Sequence, residues 1–383
     1  MAMIIISGGR VVVRPTSVAP RILCALGMAL LLSLSTACAS TEQPAACAST
    51  EQWSMGYYTP WGKTLPISRI DWSALSHAIY GFAVVRSDGS LDLDSVSLAE
   101  NAAQFVSAAR AAGVRPMFSL AQAWWSGDQE SFELAATYNR ETLVSNVIDV
   151  VDTYGFDGVD IDWEPFDAGT QGQVLLSLAA DLRARLGTTK LLTIAVSYYQ
   201  SDYAYWGRAH AYFDRLSIMT YDMSGTWDPY TWYNSALYDP EGRVWSVNLA
   251  VERFTLAGVP AATTNIGIPF YGYVWSGATG PYQSVDGAST QQSYYQDLAV
   301  DYDLRSALWD DVAQVPYLTG HSFISFDNER SVTAKVDYAV KRGLGGWIIW
   351  ELSADYLADG IPANPLLAAI KKAWRRPDRP ACS

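Results

Sequence analysis

The chain has 383 residues, half of them hydrophobic, with 15 Trp, 23 Tyr and a formal net charge of −13. That length suits one large domain with a full core, and the acidic balance repels phosphate backbones and anionic lipid, which excludes nucleic acid as a partner and direct binding to a charged membrane surface. The only histidines, His77, His210 and His321, are far apart and form no HExxH or paired spacing, so no metal, no cofactor and no histidine-based chemistry is expected.

At the N-terminus, Arg10, Arg14 and Arg21 precede an apolar run over 22–34. Such a run is too short to cross a bilayer and suits the hydrophobic stretch of an export signal. Two cleavage readings stand. Ala37-Cys38-Ala39 fits a cut after Ala39, whereas Thr36-Ala37-Cys38 resembles a bacterial lipobox with Cys38 lipidated. The expectation is a signal peptide over 1–39. The protein is then either secreted or held outside the cytoplasmic membrane by a lipid on Cys38, its one route to a membrane. The repeat Ala-Cys-Ala-Ser-Thr-Glu-Gln begins at Ala37 and again at Ala46, so 40–52 reads as a polar tether. No cysteine lies between Ala48 and Ala381, so the folded part does not depend on internal disulfides.

From Trp53 onward, short runs rich in Val, Ile, Tyr and Phe predict strands at 55–59, 77–85, 115–120, 158–163, 191–197, 215–221, 264–270 and 346–350. Stretches such as 97–113 and 141–154, with apolar residues at three-to-four spacing, predict the helices between them. Eight strands with intervening helices predict an α/β fold, a (β/α)8 TIM barrel over 53–376 with a tail at 377–383. The seventh and eighth strands are too far apart for one helix. The segment 275–327, rich in Tyr, Asp, Gly and Ser, therefore reads as a small α+β insertion between them. Lys371, Lys372, Arg375 and Arg376 fit the C-terminal end of a last helix, where cations complement the dipole. A barrel's active site lies at the C-terminal ends of its strands, so the residues ending them matter most.

Phe156 to Glu164 reads Phe-Asp-Gly-Val-Asp-Ile-Asp-Trp-Glu. Alternation along a strand puts Asp160, Asp162 and Glu164 on one face, toward the lumen, and Val159, Ile161 and Trp163 on the other, toward the helices. Three inward acids in a row are costly to ionise together, which suits keeping one carboxylic acid protonated beside an ionised neighbour. A calcium loop is the competing reading; the EF-hand spacing is absent, and the intervening apolar residues read as a buried strand.

The segment resembles the D-x-x-D-x-D-x-E signature of family 18 glycoside hydrolases, matched at Asp157, Asp160, Asp162 and Glu164. Met219-Thr220-Tyr221-Asp222 is similar to the family's M-x-Y-D motif, and Gly345 to Glu351 resembles its eighth strand, which ends in a Trp under the cleaved sugar. The resemblance implies a chitinase acting on chitin or N-acetylglucosamine oligomers, as a monomer, by a retaining mechanism in which the substrate's 2-acetamido oxygen is the nucleophile. It assigns Glu164 as acid and base and Asp162 as the group orienting the acetamido. Asp160 shares a proton with Asp162, Tyr221 bonds the acetamido oxygen, and Asp222 contacts the distorted sugar. Trp350 becomes the apolar floor, Met219 lines the pocket, and Tyr57 is a further lumen residue.

Trp124, Trp125, Trp227, Trp232 and Trp275 are candidates for sugar stacking, with plain packing the competing reading for each. Ser119-Leu120-Ala121-Gln122 and Pro165-Phe166 depart from the family's S-x-G-G and Tyr-Pro, both near sugar subsites. Two other functions are weighed. A non-catalytic glycan-binding relative typically lacks the acid that stands here as Glu164. An endo-β-N-acetylglucosaminidase acting on glycoproteins or peptidoglycan often has Asn or Gln where this chain has Asp222.

Overall fold

The computed structural model describes residues 51–61, 65–95, 97–122, 130–239, 241–242, 244–285 and 289–377. The expected signal peptide, most of the tether, Cys38, Trp124, Trp125 and the end of the tail lie outside the described residues.

Strands form where β-branched and aromatic residues run together, and the parallel ladders join them into a closed barrel. In chain order these are β1 (Trp53–Tyr58), β2 (His77–Val85), a short antiparallel β3 (Leu91–Asp92), β4 (Arg115–Ala121), β5 (Gly158–Asp162), β6 (Leu191–Ser197), β7 (Arg215–Met219) and β8 (Thr264–Pro269). Five further strands follow before β14 (Gly346–Trp350). The parallel order is β1-β2-β4-β5-β6-β7-β8-β14, with β14 returning beside β1, so the eight-stranded α/β barrel has no open edge. Around it pack α1 (Leu98–Ala111), α2 (Ser131–Tyr138), α3 (Arg140–Tyr154), α4 (Ala168–Leu186), α5 (Tyr203–Ala209), α6 (Val247–Leu256), α8 (Glu329–Lys341) and α9 (Pro365–Arg375). The close approach of β5 to β6 requires Gly158, since a Cβ there would stand 2.5 Å from the Leu191 carbonyl oxygen. Asp157, just before β5, pairs with Arg110 of α1 at 2.7 Å.

Between β8 and β14 the chain builds a second sheet from β9 (Tyr271–Ser276), β10 (Ser289–Tyr294), β11 (Leu308–Asp310), β12 (Val315–Leu318) and β13 (Ser322–Ser325), with α7 (Tyr295–Asp301). Its strands are antiparallel in the order β10-β9-β13-β12-β11. The sheet begins at Tyr271, directly after β8. Trp275 forms its core, fully buried and stacked on Phe323 at 5.4 Å.

A buried ion pair then ties α8 to the loop after β7. Lys335 Nζ donates to both oxygens of Asp327 at 2.7 Å and to Ser235 Oγ at 2.8 Å. Ser235 Oγ in turn donates to the Thr220 carbonyl oxygen at 2.6 Å.

Candidate active site

The alternation of β5 sets the site. Asp160 and Asp162 are 1% and 5% exposed in the lumen, and the half-buried Glu164 continues their row just past the strand. On the opposite face Val159 and Ile161 are fully buried, and Trp163 stacks on Phe132 of α2 at 4.7 Å.

Strand register supplies partners for the innermost acid. Ser119 of β4 and Thr193 of β6 lie beside Asp160. Ser119 Oγ and Tyr57 Oη donate to Asp160 Oδ2 at 2.8 and 2.7 Å, and Thr193 Oγ1 donates to Oδ1 at 2.5 Å. Burial outweighs these hydroxyls and raises the Asp160 carboxyl to about 6. Asp162 is held well above the usual carboxylate range by burial, then by the charges of Glu164 and Asp160. Its buried Oδ1 has no hydrogen-bond partner among the described residues. Burial, followed by the charge of Asp222, raises Glu164 to about 7.

Beyond β7, Tyr221 is 6% exposed and its ring lies against β8. It fits because residue 267 is glycine, where a Cβ would come within 2.6 Å of the ring. Asp222 takes a left-handed backbone conformation, φ 57°, and its N–H donates to Asn234 Oδ1 at 2.8 Å. The Tyr271 and Tyr273 hydroxyls donate to Asp222 Oδ1 at 2.5 and 2.8 Å. Burial raises the Asp222 pKa and the two hydroxyls oppose it.

These groups meet in a cleft of about 780 Å³ lined by Asp162, Glu164, Met219, Tyr221, Asp222, Trp227 and Trp350. Trp350 ends β14, half-buried, with its ring 5.4 Å from Tyr57 and 5.8 Å from Phe82. Trp227 is 58% exposed at the mouth. The structure therefore brings together Asp160, Asp162, Glu164, Tyr221, Asp222, Met219, Trp350 and Trp227.

Tyr57 reaches the lumen but is 1% exposed, so its hydroxyl serves Asp160 rather than a ligand. Trp232 and Trp275 are not sugar platforms. Trp275 is sealed in the inserted sheet, and Trp232, 3% exposed, packs on Tyr282 at 4.5 Å and donates its indole N–H to the Trp245 carbonyl.

Thr193, Asn234, Tyr271 and Tyr273 join the site without belonging to any of the sequence motifs above. The two tyrosines had a signal, alternate positions directly after a barrel strand. Thr193 needed the register between strands, and Asn234, in a loop, had none.

A parallel barrel that gathers carboxylates with graded protonation over an indole floor at its C-terminal rim defines the class of sugar-cleaving hydrolases. Comparison with known proteins narrows the class. The family model described as glycosyl hydrolases family 18 matches residues 54–355, and the chain belongs to that family. Chitinase A1 of Niallia circulans is 34% identical over 276 residues, 60% of this chain and 39% of that protein, so the chain spans well under half the relative's length. Chitinase 1 of Aphanocladium album is 26% identical over 345 residues, 78% of this chain and 80% of that one. Among solved structures, a chitinase from Rhizomucor miehei matches with TM-score 0.71 at 28% identity, covering 84% of this chain and 100% of the other.

Proposed function

We propose that this protein is a chitinase that hydrolyses β-1,4-linked N-acetylglucosamine polymers with retention, Glu164 acting as acid and then base. The observation that carries the reading is the pairing of Glu164, its carboxyl raised to about 7, with Asp162, whose buried Oδ1 has no partner among the described residues. An unpaired buried carboxylate oxygen is costly, and a substrate N–H would satisfy it. Asp162 then holds the acetamido group so that its oxygen attacks C1, while Glu164 protonates the leaving oxygen and later activates water. Asp160, backed by three hydroxyls, tunes Asp162. Tyr221 steadies the acetamido oxygen, Asp222 contacts the distorted ring, and Trp350 supports its apolar face. The chitinases named above support the substrate. We also place the protein outside the cytoplasm, secreted or lipid-anchored at Cys38.

Glu164→Gln keeps the shape and loses the proton. It should bind N-acetylglucosamine hexamer with near-parental affinity and lose about 10²–10⁴-fold in turnover. A folded variant retaining more than about a tenth of parental turnover would remove Glu164 from the role.

A further inference from the structure

Tyr221 and Asp222 stand beyond the ladders that hold the barrel. β7 ends at Met219; its pairing with β6 reaches Met219, and its pairing with β8 reaches only Ile218. Asp222 also keeps a left-handed backbone, φ 57°, which a residue other than glycine holds only where its surroundings over-determine it. Side chains from elsewhere must therefore fix this turn.

Two adjacent residues of the loop after β7, Asn234 and Ser235, grip it on both sides of Tyr221. They are buried, 1% and 2% exposed. Ahead of Tyr221, Ser235 Oγ donates to the Thr220 carbonyl at 2.6 Å. After it, Asn234 Oδ1 accepts the Asp222 N–H at 2.8 Å, and the Asn234 carbonyl accepts the Met223 N–H at 3.0 Å. The remaining groups of Asn234 reach the inserted sheet. Its N–H donates to Ser325 Oγ at 2.7 Å and its Nδ2 to the Tyr271 carbonyl at 3.0 Å.

Behind Ser235 stands the buried ion pair of Lys335, on α8, and Asp327, two residues past β13. Neither residue lines the catalytic cleft. Lys335 Nζ donates to both Asp327 oxygens and to Ser235 Oγ, and Ser331 Oγ donates to Asp327 Oδ1 at 2.6 Å. An ammonium group only donates. Ser235 Oγ must therefore accept from Lys335, which leaves its own hydrogen for the Thr220 carbonyl. The pair thus fixes the direction of the serine hydroxyl. A buried pair often adds little stability over apolar residues of similar size, so stability alone gives a weak reason for it.

We propose that Lys335 and Asp327 are positioning residues for the hydrolysis. Acting through Ser235, with Asn234 beside it, they set the turn that aims Tyr221 and Asp222 at the bound sugar. This rests on the chitinase reading above.

The test measures kcat and KM for N-acetylglucosamine hexamer, together with thermal melts, in the full chain, its Ser235→Ala variant and its Lys335→Met/Asp327→Asn double variant. Ser235→Ala cuts the link to Thr220 and changes no charge. The double variant removes both charges together, because Lys335→Met alone would strand a buried carboxylate. In each folded variant kcat should fall at least about fivefold, part of the ~10²-fold that a misplacement of about 1 Å can cost. KM should stay near the parental value, because Tyr221 and Asp222 act on the ring as it distorts. A purely structural role would lower the melting temperature and leave kcat of the folded enzyme intact. Parental kcat in either folded variant, or a loss carried by KM, would overturn the positioning role and leave the chitinase reading standing; if one variant does not fold, the other decides. A parent that neither binds nor cleaves any N-acetylglucosamine oligomer would overturn both.

Discussion

At Glu164 burial is the first cause of the raised pKa and the charge of Asp222 the second. Glu164 must carry its proton to donate it, so kcat/KM should fall as pH rises through about 7, an apparent value shared with the coupled carboxyls. Asp222→Asn removes a negative charge that favours the protonated form, so it should lower the Glu164 pKa and move the falling limb to lower pH. A pH–rate profile of the variant checks this, and a limb left at the parental pH would disconnect the two residues. Asp160, Asp162 and Glu164 were legible because period-two alternation puts improbable acids on one buried face, and Tyr221 and Asp222 because they follow a strand in a recognisable motif. Thr193 and Ser119 were not. Hydroxyls are common, and these two meet Asp160 only through a register linking residues 33 and 41 positions away.

The eight barrel strands were legible as short β-branched and aromatic runs, and 77–85, 191–197 and 346–350 keep their expected bounds, but the ends of the others were not. The expected strand over 158–163 stops at Asp162, close to Pro165, which has no N–H to extend a ladder. The expected strand over 215–221 stops at Met219, because Thr220 turns out of the ladder, its N–H bonding back to Ile218 and its hydroxyl to the Gly267 carbonyl at 2.8 Å. The start of the insertion was hidden because Phe270-Tyr271-Gly272-Tyr273 continues the pattern of β8 without a break. The contact between β7 and β8 yields a sharp expectation. A methyl at 267 would also stand 2.9 Å from the Thr220 N, so neither ring nor backbone can yield freely. Gly267→Ala should cost about 1–3 kcal/mol of stability and displace Tyr221, lowering kcat about tenfold or more. Thermal melts with oligomer kinetics test it, and a variant as active as the parent would show that Tyr221 need not sit where β8 holds it.

For the whole molecule, the alternation of strand and helix gave the barrel, while the inserted sheet's topology depended on non-local antiparallel pairings that no local pattern reveals. The proposal of export rests on the N-terminal sequence. Mass analysis of protein from its native host should find a mature N-terminus at Cys38 or Ser40, and cytoplasmic protein retaining Met1 would contradict it. The catalytic proposal joins residue, strand and barrel in one stereochemical consequence. If the acetamido group held by Asp162 is the nucleophile, C1 inverts twice, and the donor sugar must carry an N-acetyl group. Proton NMR of the first products from N-acetylglucosamine hexamer, with cellohexaose as the parallel substrate, measures this directly. The account requires an initial β-anomer and no turnover of cellohexaose; an initial α-anomer, or efficient cleavage of cellohexaose, would contradict it.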